Sequence, residues 1–296
     1  MSRGRHVALG AVYIVASGLC FGSMPIFARA AYASGADPRT LLLLRFSIAS
    51  AVLWAVFLAR GARLPRGRWL AVLAAMGGLG YAGQAFFFFT ALTLTSAGLV
   101  ALVLYLYPAL VALLSRAIFG HPLSPVQAAA VAMALVGSVL TVGRAGDATP
   151  LGILLAALAA ATYALYILTG SRIPARVTPT ASSTVIITGA AVSYAALCAV
   201  RGPHLPGTPA GWGAALAIAL VCTVLAIFFF QAGLQRLGAV RASVYSTVEP
   251  AFTLILAAAL LGERLTVLRI AGGALIIGAV ILLARSDLSR GSAASG

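Results

Sequence analysis

Two ionisable residues interrupt long apolar runs of this 296-residue chain: Arg45 in LLLLRF (41–46) and Glu249 in YSTVEPAF (245–252). A charge in apolar surroundings costs several kcal/mol unless it is paired, hydrated or neutralised, so each marks a place where chemistry is expected. Proton uptake and release at the Glu249 carboxyl is one such chemistry. A structural clamp between Glu249 and Arg45, or between Glu249 and a backbone group, is the other. Gln84 and Gln231 add two amides in similar surroundings, where an amide needs a partner and often marks a cavity or an interhelical hydrogen bond.

Other chemistries find less support. His6, His121 and His204 are isolated from one another, and Cys20, Cys198 and Cys222 lie in apolar runs with no paired or metal-ligand spacing, so no disulfide framework, metal site or cofactor is expected. The apolar runs hold no His, no Asp and a single Glu, which leaves no nucleophile with a base, and no catalytic residue is assigned.

The elements that carry these residues follow from composition. Hydrophobic residues make up 62% of the chain and charged residues 8%, far from the roughly half-apolar, quarter-charged mix of water-soluble domains. Only a helix of about 20 apolar residues satisfies its own backbone while crossing hydrocarbon. Ten segments qualify, near 8–28, 39–59, 68–90, 96–116, 124–143, 150–170, 179–200, 210–234, 239–261 and 266–284. The start, MSRGRH followed by VALGAVYIVASGLCFGSM, has the flank of a signal peptide but no convincing small-residue cleavage site, and it is expected to stay as the first helix.

All twenty basic residues are arginines, against five acids, for a net charge of +15. The arginines sit mainly at the ends of apolar runs rather than on one soluble face, the pattern of membrane topology signals and not of a nucleic-acid partner. With the N-terminus inside, thirteen arginines fall on the inner side and six on the outer, with Arg45 within a span. Both termini are therefore expected in the cytoplasm, as an even number of spans requires, in a multi-pass protein of the bacterial inner membrane.

Sliding the sequence over itself by 142 positions aligns FFFFTALTLTSAGLVALVLYLYP with FFFQAGLQRLGAVRASVYSTVEP without a gap. Phe86, Phe87, Phe88, Pro108 and Gly120 then face Phe228, Phe229, Phe230, Pro250 and Gly262, and the same offset pairs Gly10 with Gly152 and Phe21 with Tyr163. The expected architecture is an all-α integral membrane fold of two five-helix repeats, 8–143 and 150–284. Five spans per half make the second copy inverted, an arrangement used by transporters to open a central site to either side in turn.

LLLLRF (41–46), GQAFFFFTAL (83–92), YPAL (107–110) and VEPAF...LLGERL (248–265), in this order, resemble the drug/metabolite transporter superfamily in its EamA-type ten-helix form, and within it the YddG-type exporters of aromatic amino acids. The family often has Glu after Gly in the first-half turn as well as the second; here FGHPLS sets His121 opposite Glu263, which puts in doubt any role that needs both acids. The resemblance implies a central cavity walled by the third, fourth, eighth and ninth helices with the first and sixth. It also implies export of small organic solutes by alternating access, amino acids foremost, with a multidrug or other metabolite carrier as the alternative and a passive channel behind it.

Helical spacing names candidate contacts on those helices. Gly77, Tyr81, Gln84 and Phe88 share a face of the third span, and Ala101, Tyr105 and Pro108 one of the fourth. Thr223, Ile227 and Phe230, with Gln231 adjacent, share a face of the eighth. Ser243, Ser246, Thr247 and Pro250 lie on the ninth beside Glu249, while Ser17, Phe21 and Met24 come from the first span and Tyr163 and Tyr166 from the sixth. Aromatic rings at such spacing also pack between helices without touching a substrate. Pro108 and Pro250, matched by the repeat, are expected to kink the fourth and ninth helices as gates or as static bends. MGGLG (76–80) and AGG (271–273) are expected to allow close helix packing. The partners this pattern implies are a small-molecule substrate, the lipid bilayer and protons, for a protein acting as a monomer.

Overall fold

A computed structural model describes residues 3–95, 97–120, 123–142, 149–199, 202–261 and 266–293. His121 and Glu263, the pair that departs from the family pattern, lie outside the described residues. Every element among those residues is helical. The helices string into rods: α1 (Arg3–Gly22, then Met24–Ala33), α2 (Pro38–Ala59), α3 (Arg68–Ala75, a π-helical turn Met76–Tyr81, then Ala82–Leu94) and α4 (Ala97–Leu104, then Tyr107–Phe119). They continue as α5 (Pro125–Val142), α6 (Pro150–Gly170), α7 (Pro179–Ala199), α8 (Pro209–Ala219, a π-helical turn Leu220–Leu225, then Ala226–Leu237), α9 (Ala239–Ser246, then Val248–Leu261) and α10 (Val267–Ala293).

Among the described residues, eight helices are long and apolar enough to cross a membrane. Tyr107–Phe119 and Pro125–Leu140, in α4 and α5, are shorter apolar helices. The expected count of ten therefore meets eight on length and composition. The fourth expected span is interrupted at Tyr105 and Leu106, and the fifth is described from Pro125 to Val142.

Helix starts are set locally. Proline opens α2, α5, α6, α7 and α8, where its missing N–H is no loss. The Asp37 side chain caps α2 by accepting from the Thr40 amide at 2.7 Å, and Thr149, Thr178 and Thr208 do the same for α6, α7 and α8. Ser124 and Gln127 form a reciprocal capping box ahead of α5.

The rods pack in pairs across the two halves: α1 with α8, α3 with α6, α2 with α7, α4 with α9 and α5 with α10. Exchanging each first-half helix for its second-half counterpart maps this set onto itself, since α1–α8 becomes α6–α3 and the other three pairs are unchanged. That is the packing expected of two similar halves about a pseudo-two-fold axis. Glycines permit the closest approaches, as expected of MGGLG. A Cβ on Gly77 would lie 1.9 Å from the Ile186 carbonyl oxygen at the α3–α7 seam. Across the α5–α10 seam, a Cβ on Gly137 would lie 2.7 Å from the Gly272 carbonyl oxygen.

The repeat extends to irregular backbone. The π-turns of α3 and α8 overlap under the 142-residue offset and place Tyr81 opposite Thr223. The break in α4 at 105–106 matches the one in α9 at 247, each just ahead of a matched proline, Pro108 or Pro250. Each proline lacks the N–H that would bond the carbonyl one turn back, so the helix axis can turn there. The correspondence fails in one place: α1 breaks at Ser23 before Pro25, whereas α6 runs unbroken through the equivalent Ile167.

Candidate functional site

The helices enclose a central cavity of about 640 Å³ between the two halves. Its wall takes residues from both, among them Phe21, Arg45, Tyr81, Gln84, Phe88, Tyr105, Tyr163, Phe230, Glu249 and Pro250. Seven of the eleven contacts expected from spacing are therefore in the wall, together with Glu249 and Pro250. Thr223, Gln231, Ser243 and Ser246 are not, and neither is the gate proline Pro108.

Those four polar residues lie behind the wall. Gln231, fully buried, donates from Nε2 to the Tyr166 hydroxyl at 2.9 Å, and its Oε1 finds no partner among the described residues. The Ser243 hydroxyl turns back to the Val240 carbonyl at 2.8 Å, while its own carbonyl accepts from the Tyr107 hydroxyl at 3.3 Å. Ser246 is a hydrogen-bonding neighbour of the same Tyr107 side chain. These groups orient the rings of the wall rather than face the space.

The rings form a continuous layer. Tyr107 and Tyr163 have centroids 4.7 Å apart, Tyr163 and Phe230 are 6.4 Å apart, Tyr166 and Phe230 6.2 Å, and Tyr81 and Tyr166 5.9 Å. At these separations aromatic pairs attract by about 0.5–1.5 kcal/mol beyond simple burial, so the layer is a stiff, apolar floor.

Arg45 crosses that floor at a point of pseudo-symmetry. Its Nε donates to Thr223 Oγ1 at 2.8 Å, and its Nη2 donates to the Tyr81 hydroxyl. One cation thus holds the two positions that correspond in the repeat, each presented by a π-turn that re-aims its side chain. Thr223 passes the bond on to the Ile218 carbonyl at 2.9 Å. The guanidinium carbon lies 5.0 Å from the Phe46 ring centroid and 5.5 Å from that of Tyr81. Nη1 takes no hydrogen-bond partner among the described residues, and the Arg45 side chain is part of the cavity wall.

Glu249 stands just past the α9 break, half-buried and in the wall. Among the described residues its carboxylate makes no ion pair within 4.0 Å and no side-chain hydrogen bond. The clamp between Glu249 and Arg45, one of the two readings of the sequence, is not formed. The cavity instead holds the Arg45 guanidinium and the Glu249 carboxyl in one aromatic shell without a direct ion pair between them.

Sequence reasoning misses the mouth. Arg29 and Tyr32 at the end of α1, Leu104 in α4, and Arg269 near the start of α10 also line the cavity. At helix ends, Arg29 and Arg269 read only as topology signals, and the expected wall leaves out α10. Close to that end, Asp37 accepts from Thr40 and from Arg39 at 3.2 Å, with His204 Nδ1 at 3.6 Å. Partial burial pushes the Asp37 carboxyl up, but the bonds from Thr40 and Arg39 outweigh it and hold the group below its ordinary value.

The EamA-like transporter family model matches residues 8–143 and again 150–285. An aromatic amino acid exporter, YddG, of Ancylobacter novellus is 34% identical over 87% of this chain and 93% of its own length. Two uncharacterized transporters of Bacillus subtilis, YcbK and YyaM, are 26% and 27% identical over 92% and 90% of this chain, and over 91% of each relative. A solved crystal structure 26% identical to this chain superposes with a TM-score of 0.81 over 94% of this chain and 98% of its own. Matched in both halves and built of apolar membrane-crossing helices around a central cavity, this chain belongs to the EamA-like transporter family, a family of multi-pass membrane proteins.

Proposed function

We propose that this protein is a secondary transporter of the bacterial inner membrane that exports amino acids, aromatic ones foremost, by alternating access. All ten rods cross the bilayer in this reading, with both termini in the cytoplasm and the halves inverted. The arginine bias then puts Arg29 and Arg269 at the outer mouth, so the cavity faces outward and the ring layer with Gln231 closes the inner side. One chain contains the whole path, and no second subunit is needed.

The observation that carries the reading is the pairing of opposite charges with an aromatic shell in one cavity. A zwitterionic amino acid presents a carboxylate to Arg45 Nη1 and an ammonium to Glu249, while its ring lies against Phe88, Tyr163 and Phe230. Charge-assisted hydrogen bonds in low dielectric favour both contacts. The aromatic shell accepts the side chain as any apolar ring is accepted, by stacking and burial.

Glu249 holds either the substrate ammonium or a proton, and that competition couples export of the one to entry of the other. The matched breaks ahead of Pro108 and Pro250 serve as hinges, so the two halves exchange conformations at equivalent points. The resemblance to an aromatic amino acid exporter supports the cargo. Counterflow in proteoliposomes tests the function: preloaded phenylalanine should drive labelled phenylalanine inward against its gradient, and tyrosine and tryptophan should compete. A pore would only dissipate the gradient.

A further inference from the structure

A second cavity, of about 380 Å³, shares no lining residue with the first. Arg60 just past α2, Arg236 in the last turn of α8 and Thr178 ahead of α7 line it together with Tyr13 of α1 and Phe228 of α8. From Arg236 to Phe228 is eight residues of helix, or roughly 12 Å. The groove therefore combines two cations with aromatic rings, Arg236 lying over the Tyr13 ring and Phe228 standing about two turns back along α8. Val12 and Leu225, beside it, are exposed, so this face of α1 and α8 looks onto hydrocarbon.

Neither Arg60 nor Arg236 makes an ion pair among the described residues. Arg236 lends Nη1 to the Ala232 carbonyl and lies 5.1 Å from the Tyr13 ring centroid, but its buried Nε finds no partner among those residues. Tyr13 in turn stacks on Phe229 at 5.8 Å, which fixes the wall.

The groove is also one-sided. Under the 142-residue offset, Tyr13, Arg60 and Arg236 correspond to Leu155, Gly202 and Leu94, so the other half carries neither arginine in the matching place. Helix packing alone, which the halves share, does not require these charges.

We propose that this groove binds the phosphodiester of an anionic phospholipid, with Arg60 and Arg236 on the phosphate and the glycerol and upper acyl chain along Tyr13 and Phe228. It faces the inner leaflet by the arginine bias. Arg60 and Tyr13 belong to the first half and Arg236 and Thr178 to the second, so a bound lipid ties the halves together at the closed end. A free inorganic anion would use the arginines but not the aromatic wall.

Native mass spectrometry of the detergent-solubilised protein, titrated with phosphatidylglycerol or phosphatidylcholine, tests this. Phosphatidylglycerol adducts should appear at about tenfold lower concentration, the order expected of two arginines at an anionic headgroup. The double variant Arg60→Gln/Arg236→Gln should bring the two lipids within twofold, whereas Arg63→Gln, a change in the same loop outside the groove, should leave the preference intact. Equal retention of both lipids by the parent protein would overturn the proposal, and that arm needs no variant to fold. A preference that survives in the double variant would overturn it too, as would displacement of phosphatidylglycerol by millimolar inorganic phosphate.

Discussion

The third helices of the two halves and their neighbours repay comparison. α3 and α8 carry a π-turn in overlapping places, and α4 and α9 break at matched residues ahead of matched prolines. The side chains mounted on this shared backbone differ: Tyr81 against Thr223, Gln84 against Ala226, Tyr107 against Glu249. Backbone irregularity is what two exchanging conformations must have in common, whereas polar side chains are what a substrate with two unlike ends must find different. Arg45 joins the two requirements, since one guanidinium spans both π-turns from a helix whose own counterpart position holds Ile187.

The largest expected effect comes from removing that bridge. Arg45→Gln should lower phenylalanine counterflow ten- to hundredfold, as a charge-assisted bond of about 1.5–3 kcal/mol is lost at the substrate and the floor loosens. Unimpaired exchange would assign Arg45 a purely structural role. Next, Glu249→Gln should lower exchange about tenfold and flatten its dependence on pH, because the proton and the ammonium lose their shared acceptor. A variant as fast as the parent with the same pH profile would sink the coupling.

Gly77 and its counterpart Ala219 test whether the halves tolerate the same change. Gly77→Ala should cost about 1–3 kcal/mol by overpacking against the Ile186 carbonyl, read as a fall in melting temperature, while Ala219 already carries its Cβ in a fully buried place. Pro108→Ala and Pro250→Ala should each slow exchange severalfold with little change in half-saturation, as expected of hinges rather than contacts. A rise in half-saturation for Pro250→Ala alone would make it a contact, in keeping with its place in the wall.

The smallest effect lies at the mouth. Asp37→Ala removes the α2 cap and should cost about 1 kcal/mol. The Asp37 carboxyl is held low in the folded protein. Its contribution is therefore full above the unfolded value and is lost as pH falls through the folded one, so parent and variant should converge in stability at strongly acidic pH.

Much of this is legible in the sequence. The sixth rod spans 150–170 as hydropathy predicts, the glycine seams close where small residues cluster, and seven of the eleven spaced contacts share one cavity. The π-turns leave no signal in composition. Spacing of 3.6 residues assumes an unbroken helix, and an extra residue in a turn rotates every later side chain by about 100°. In α8 the π-turn lies just ahead of the face on which spacing groups Gln231 with the cavity side chains. Ser243 and Ser246 fall behind the wall for another reason: a hydroxyl can satisfy itself on its own helix or a neighbouring ring, and only packing decides.

In the proposed function one cavity reads two opposite charges and a ring. Competition of labelled phenylalanine exchange by 2-phenylethylamine, which lacks the carboxylate, and by 3-phenylpropionate, which lacks the ammonium, tests it most directly. Each should compete at least about tenfold more weakly than phenylalanine, Arg45→Gln should narrow the gap for the amine and Glu249→Gln should narrow it for the acid. Equal competition by all three compounds in the parent protein would contradict it.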